Sequence, residues 1–245
     1  PFLKESNIKA EIDFKTPNLV LVIYHTDEKY FLGVDLTNNE LNKRDYRVFA
    51  HSASFKGDFS YYFSRESGFK IDEKLLLGFC KDGVIAIEAA LYSTGKKVHD
   101  VNKFMFKNYP LFKDFKLNEL EVKDNKSEIY CFDEGTGNTN LAKRNASLAK
   151  VKDDLQVSKY QLDELDVKFN ENFFDRIIFH ITSKDEDRIN EIYYQANYIL
   201  KKGGTLMFIG RSQWEVSISD KFELVQCKEI VKGDSSHKAW LLKKK

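Results

Sequence analysis

Three short segments hold the residues whose types and order could do chemistry. Phe79-Cys80-Lys81-Asp82-Gly83 follows the apolar run of Lys74–Phe79 (KLLLGF). A glycine-bearing turn after a strand lets backbone N–H groups approach a nucleotide or nucleoside. The same residues also make an ordinary tight turn, and Gly83 alone does not separate the two. Asp133-Glu134 closes the run Ile129–Asp133 (IYCFD). An acidic side chain there accepts the hydroxyls of a ribose, or it is a solvated acid favoured by the dipole of a following helix. His180-Ile181-Thr182-Ser183 ends a third run, Phe174–Ile181. A histidine at a strand end can serve as a general base, or it is half-buried and simply hydrogen-bonded. GxSxG, Walker A, HExxH and EF-hand patterns are absent.

These segments need strands and helices to hold them. Leu19–Tyr24 and Tyr30–Leu36 read as a β-hairpin, followed by a polar linker over Asp35–Val48. Asp58–Ser67 reads as a short helix with Gly68 as its C-cap. Strand–helix alternation then begins: strand Lys74–Phe79, helix Val84–Tyr92, strand Ile129–Asp133, helix Thr139–Lys150, strand Leu155–Tyr160 and strand Phe174–Ile181. Ile189, Ile192, Tyr193, Ala196, Ile199 and Leu200 fall on one face at 3.6 residues per turn. Gly203-Gly204 is expected to end that helix before a strand over Thr205–Ile209. Phe222–Val231 and Ala239–Leu242 pair as a terminal antiparallel hairpin around Gly233-Asp234.

The fold class that follows is α/β, Rossmann-like, with a mostly parallel, doubly wound sheet. The terminal β-hairpin completes it and the N-terminal hairpin extends it. Residues 1–48 are expected to form the hairpin and linker, and residues 49–245 the main domain. Ser93–Ser127 is too long for an ordinary connection. With its cluster of Phe104, Phe106, Tyr109, Phe112 and Phe115, it is expected to be a helical insertion at about 93–127, packed on the domain.

The 245 residues carry 39 Lys+Arg against 38 Asp+Glu, a net charge of +1, so a strongly basic histone-like or ribosomal protein is excluded. Locally the balance differs: residues 96–126 hold eight Lys against five acids, and residues 221–245 seven against three. The 14% of aromatic residues argues for a packed core rather than disorder. Cys80, Cys131 and Cys227 are too scattered for a metal site and fit free thiols of a reducing cytoplasm. No apolar run reaches membrane-span length and no secretory pattern opens the chain, so no membrane role is expected. The start at Pro1 reads as a processed or trimmed end.

Five segments carry a further pattern. They are Leu41-Asn42-Lys43-Arg44-Asp45-Tyr46-Arg47; Phe79-Cys80 and Gly83 with the Ile85–Leu91 helix; Lys103-Phe104-Met105-Phe106-Lys107-Asn108-Tyr109-Pro110; Asp133 with Ala142 and Asn145-Ala146; and Ile199–Gly204. In this order they resemble the class I S-adenosylmethionine-dependent RNA methylases that follow a THUMP RNA-binding domain and methylate guanine N2 in rRNA or tRNA. The segments match, in turn, that family's Leu-His-Lys-Arg-Gly-Tyr-Arg stretch, its Asp-Pro-Phe-Cys-Gly-Ser-Gly loop and helix, its Arg-Phe-x-Phe-x-x-Trp-Pro signature, its second strand with the helix after it, and its Val-Leu-Lys-Pro-Gly-Gly turn. The likeness spans roughly Leu32 to Arg211.

The resemblance implies S-adenosylmethionine as cofactor, with Phe79, Cys80, Gly83 and Asp133 lining its site and His180 at the target base. It implies tRNA or rRNA as partner and an upstream THUMP domain or partner protein. Lys43, Arg44, Arg47, Lys103 and Lys107 are candidate phosphate contacts. The sequence departs from the family at Leu77 (aspartate), Gly78 (proline), Lys81 (glycine) and His180–Ser183 (Asn-Pro-Pro-Tyr). Two readings follow: a cytoplasmic RNA methyltransferase with altered cofactor contacts, or a catalytically inactive domain of that fold that binds RNA or a protein.

Overall fold

The computed structural model describes residues 11–112, 114, 115, 126–232 and 235–245. By its contacts the chain divides into two units, Pro1–Glu40 with Asp100–Glu119, and Leu41–His99 with Leu120–Lys245. In the first unit β1 (Leu21–His25) and β2 (Tyr30–Val34) pair antiparallel, from Leu21 opposite Val34 to His25 opposite Tyr30. The predicted helical insertion takes a different form among its described residues. It makes three 3₁₀ turns, Val101–Lys103, Met105–Asn108 and Pro110–Phe112. Phe106 N–H bonds Leu36 O at 2.8 Å and Tyr109 Oη bonds Asp35 O at 2.8 Å, so the segment is tied to the residues that follow the hairpin. Phe106 meets Phe112 edge-on at 5.7 Å and Phe115 at 6.3 Å. Rings packed around single turns need no long helix.

The second unit is built on a seven-stranded sheet of order β5-β4-β3-β6-β7-β9-β8. Its strands are β3 (Lys74–Gly78), β4 (Glu128–Asp133), β5 (Leu155–Lys159), β6 (Phe174–His180), β7 (Leu200–Arg211), β8 (Phe222–Lys232) and β9 (Ser235–Lys244). Neighbours among β3 to β7 run parallel, while β9 is antiparallel to both β7 and β8. Leu75, Leu76 and Leu77 are buried because both faces of a central parallel strand are covered. The strand order reverses between β4 and β6, on either side of β3. The carboxyl ends of those three strands, at Gly78, Asp133 and His180, therefore open side by side.

The helices are α1 (Gly57–Glu66), α2 (Val84–Thr94), α3 (Thr136–Leu148), the short α4 (Leu165–Lys168) and α5 (Glu186–Ile199). The 3.6-residue pattern of α5 is realised: Ile189, Ile192, Tyr193, Ala196 and Ile199 are all buried. Asp185 caps its start by accepting Arg188 N–H at 3.2 Å. The sequence misplaces its end. Leu200 already pairs with Phe174, and pairing resumes at Arg176 with Thr205. Gly203, at φ +75°, therefore lies in a bulge inside β7, not in a helix-ending turn.

Helix α2 is buried along almost its whole length, yet it carries Glu88, which is 1% exposed. Residues 41–53, a strap that precedes the domain's first helix, supply its partners. Arg44 Nε and Nη2 bond Glu88 Oε1 and Oε2 at 2.7 and 3.1 Å, and Tyr46 Oη bonds Oε1. Burial first, then the Glu88 charge, holds the Tyr46 phenol well above its usual range, so it stays a donor. Among the described residues, no helix is long and apolar enough to cross a membrane.

Truncating one side of a buried ion pair leaves the other charge uncompensated, at a cost of about 3–5 kcal/mol. We predict that Glu88→Ala loses that much stability in urea unfolding, and that Glu88→Leu with Arg44→Met loses less. An unchanged midpoint in Glu88→Ala would remove the pair from the structural account.

Candidate active site

At the end of β3 the chain passes so close to β6 that a Cβ on Gly78 would lie 2.0 Å from Phe179 Cε1. The loop that follows bends sharply, with Phe79 at φ +56° and Lys81 at φ +53°. Each left-handed non-glycine residue costs about 1–3 kcal/mol, so the surroundings must over-determine it. Cys80 N–H bonds Phe132 O at 3.0 Å, Lys81 N–H bonds Asp133 Oδ2 at 3.0 Å, and Gly83 N–H bonds Cys80 O at 2.7 Å. The strap closes the other side. Arg47 Nε and His51 N–H both bond Asp82 Oδ2, at 3.0 and 3.1 Å. Asn145 of α3 bonds Phe49 O and Asp82 O through Nδ2 and accepts Phe49 N–H.

Three spaces open around this loop. The first, about 380 Å³, lies over the ends of β3, β4 and β6 and is lined by Phe79, Lys81, Asp133, Glu134, Ile181, Arg188 and their neighbours. The second, about 570 Å³, is lined by Phe55, His180, Thr182, Arg211, Gln213 and His237 among others. The two share Ala53, Ile181 and Thr182. A recess of about 20 Å³ is lined by Phe79, Lys81, Asp82, Ser60 and His180 among others. Asp82 Oδ1 and Ser60 Oγ are buried without a hydrogen-bond partner.

The expected cofactor residues have different roles. Asp133 lines the first cavity, with Oδ1 accepting Gly135 N–H at 3.0 Å and Asn138 Nδ2 at 2.9 Å. Phe79 also lines it, beneath Arg188, whose guanidinium carbon lies 4.3 Å from the ring centroid. Cys80 borders the small recess. A hydrogen bond with Cys131, then burial, pushes its thiol well above the usual range. Gly83 is not among the cavity walls. At φ +78°, a Cβ there would lie 2.8 Å from Ala142 Cβ, so Gly83 lets α2 and α3 approach.

His180 is buried at the end of β6, stacked on Phe55 with centroids 4.5 Å apart. Burial first, then the nearby Lys81, His237 and His51, pushes its pKa well down, so the ring is neutral. Arg44 and Arg47, candidates for phosphate, are turned inward onto Glu88 and Asp82. Lys43 is exposed on the strap, and Lys103 and Lys107 belong to the other unit. The sequence reading missed Arg188, which pairs with Glu134 at 2.6 Å. Its signal was Asp185-x-x-Arg188 at the start of the most periodic helix.

Lys81 is the loop residue with the most unusual surroundings. It is 6% exposed, and its Nζ donates to His180 O at 3.1 Å. Burial lowers its pKa to about 8, against the opposing charges of Asp133 and Asp82. Among the described residues, no group of three His, Cys, Asp or Glu side chains could hold a metal ion.

The family model described as UPF0020, RMKL-like, methyltransferase domain matches residues 44–213. A protein of Methanocaldococcus jannaschii named tRNA (guanine(6)-N2)-methyltransferase is 29% identical over 179 residues, which cover 70% of this chain and 47% of that protein. The ribosomal RNA large subunit methyltransferase K/L of Buchnera aphidicola subsp. Schizaphis graminum is 28% identical over 95 residues, 39% of this chain and 14% of that protein. The chain thus spans about half the length, or less, of these relatives. The crystal structure of TrmN from Thermus thermophilus has a TM-score of 0.70 at 18% identity, covering 100% of this chain and 64% of that one. SMU.472, solved complexed with SAH, has a TM-score of 0.64 at 14% identity, covering 91% and 61%. These neighbours have the expected class I methyltransferase fold.

The buried ammonium of Lys81 opposes folding below its native pKa, because the unfolded chain, with the lysine near 10.5, holds the same proton in water. That cost is relieved as the pH rises from about 8 towards 10.5. We predict that Lys81→Met gains up to about 3 kcal/mol at pH 7, and that the gain shrinks above pH 8 in denaturant titrations. A pH-independent difference would contradict this.

Proposed function

The chain belongs to the UPF0020 family of RMKL-like methyltransferase domains, and we propose that it transfers a methyl group to the exocyclic N2 of a guanine in tRNA or rRNA. The methyltransferase family, with the neighbour complexed with SAH (S-adenosylhomocysteine), points to S-adenosylmethionine as the cofactor. The names of the relatives support RNA as the substrate class and guanine N2 as the target atom. The observation that carries the reading is the pair of cavities meeting at Ala53, Ile181 and Thr182. A two-substrate transfer needs two sites with one shared wall.

The residues present fit the cofactor. Asp133 lines the first cavity at the end of β4. Asp133 Oδ2 has lone pairs beyond its bond to Lys81 N–H for ribose hydroxyls. Ile181, Ile189 and Ile192 give the first cavity an apolar wall for a base. When bound, the cofactor supplies an electrophilic methyl group on a sulfonium. The chain supplies position, which accounts for much of the rate of such a transfer. In the second cavity Gln213 and Thr182 offer hydrogen bonds to a base edge, and the neutral His180 ring backs Phe55 as an aromatic wall. A base reaches that cavity only when out of its stack.

A tRNA or rRNA substrate agrees with the expected cytoplasmic setting. An RNA-binding region of THUMP type, or a partner protein, would deliver it, with Lys43, Lys103 and Lys107 as phosphate contacts. Lys81 Nζ, which reaches His180 O at the cavity wall, favours a second reading, an RNA-binding domain without catalysis.

The test is incubation with labelled S-adenosylmethionine and transcripts of tRNA and rRNA, followed by nucleoside analysis. Label in N2-methylguanosine is the expected result. S-adenosylhomocysteine binding without any label would select the non-catalytic reading. Removing a hydrogen bond to a charged acceptor costs about 1.5–3 kcal/mol, so Asp133→Asn should weaken S-adenosylhomocysteine binding about tenfold or more. Unchanged affinity would place the ribose elsewhere.

A further inference from the structure

Methyl transfer as described makes no use of the cation that Lys81 brings to the cavity. Lys81 reaches from the end of β3 to the end of β6, where its Nζ bonds His180 O at 3.1 Å. The next residue, Ile181, lines both large cavities. A sulfonium that presents its methyl group at this shared wall brings a second positive charge beside the ammonium. In a site of reduced dielectric, two like charges a few ångströms apart repel strongly. Resting on the reading of this cavity as the cofactor site, we propose that Lys81 makes it selective by charge. The ammonium admits the neutral thioether of S-adenosylhomocysteine and disfavours the sulfonium of S-adenosylmethionine until the lysine loses its proton.

The groups around Lys81 come from the loop, from the ends of β4 and β6, and from the strap. Asp133 at the end of β4 and Asp82 beside it in the loop both favour the ammonium. Burial outweighs them and brings its pKa to about 8. Cys80 stays a thiol, held up by Cys131 and burial, and His180 at the end of β6 stays neutral. Glu134 and Arg188 across the cavity form an ion pair, and Asp185 caps α5. His51 of the strap also lines the space, so a variant without the lysine is needed to isolate the contribution of Lys81. The sign is fixed: repulsion is present below pH 8 and lost above it, so S-adenosylmethionine affinity rises with pH.

The experiment is isothermal titration of both ligands into the wild-type chain and Lys81→Met at pH 6.5 and pH 9. The readout is the ratio of the two dissociation constants, which needs no turnover. In the wild type at pH 6.5 the ratio should favour S-adenosylhomocysteine by about tenfold more than in Lys81→Met. At pH 9 the two proteins should converge. A wild-type ratio that is flat with pH, or equal to that of Lys81→Met at both values, overturns the proposal while leaving the cofactor site intact. Failure of S-adenosylhomocysteine to bind either protein overturns the cofactor site, and the proposal with it. Circular dichroism checks folding, and Lys81→Gln replaces the methionine variant if that one does not fold.

Discussion

The arrangement depends on one buried carboxylate. Glu88 lies on α2, a helix covered on nearly every side, where an unpaired charge would not be tolerated. Its answer comes from a strap more than forty residues earlier: a two-pronged Arg44 and the Tyr46 hydroxyl. A fork of that shape accepts few orientations. Once Arg44 and Tyr46 are seated, the next residue, Arg47, carries the second guanidinium to Asp82. The strap then continues past Phe49, held by Asn145, to His51 and Ala53 on the cavity wall. A charge pair within the core thereby sets the position of a wall of the site.

The loop between β3 and α2 is held from both sides by this arrangement. Asp82 is gripped by the strap, and Lys81 N–H by Asp133 from the neighbouring strand. Asp133 therefore has two tasks, which its two oxygens divide. Oδ1 closes the turn into α3 through Gly135 and Asn138, while Oδ2 braces the loop. The strand ends come together because β3 runs between β4 and β6. Ligand space at the order reversal is what a doubly wound sheet provides.

The sequence made the local elements legible and left the long-range ones unread. Three consecutive leucines announce β3, and the spacing from Ile189 to Ile199 announces α5, because periodicity and composition act within a turn or two. Lys43, Arg44 and Arg47, in the motif Leu41–Arg47, read as candidate phosphate contacts. The two arginines bond Glu88 and Asp82, and that was not legible, since nothing local in a sequence pairs Arg44 with a residue on a later helix. Gly203-Gly204 misled for the opposite reason: a glycine pair ends helices and also permits a bulge, and only the register of β6 against β7 decides. Asp133 and Phe79 were readable as cavity residues because strand ends are fixed by topology. Gly83 was not, because its closeness to Ala142 depends on how two helices pack.

The loop also shows why a lysine can stand where the resemblance has glycine. Lys81 lies at φ +53°, a conformation that glycine adopts freely and other residues at a cost. Its side chain adds a second cost by taking an ammonium out of water. Two hydrogen bonds offset these only in part: one to His180 O from the side chain, one to Asp133 from the backbone. A methionine or glutamine would fill the same space without the charge, so packing alone does not call for lysine. A residue that opposes folding both through its backbone and through its charge, at the wall of the central cavity, is better explained by what it does to a ligand than by what it does for the fold.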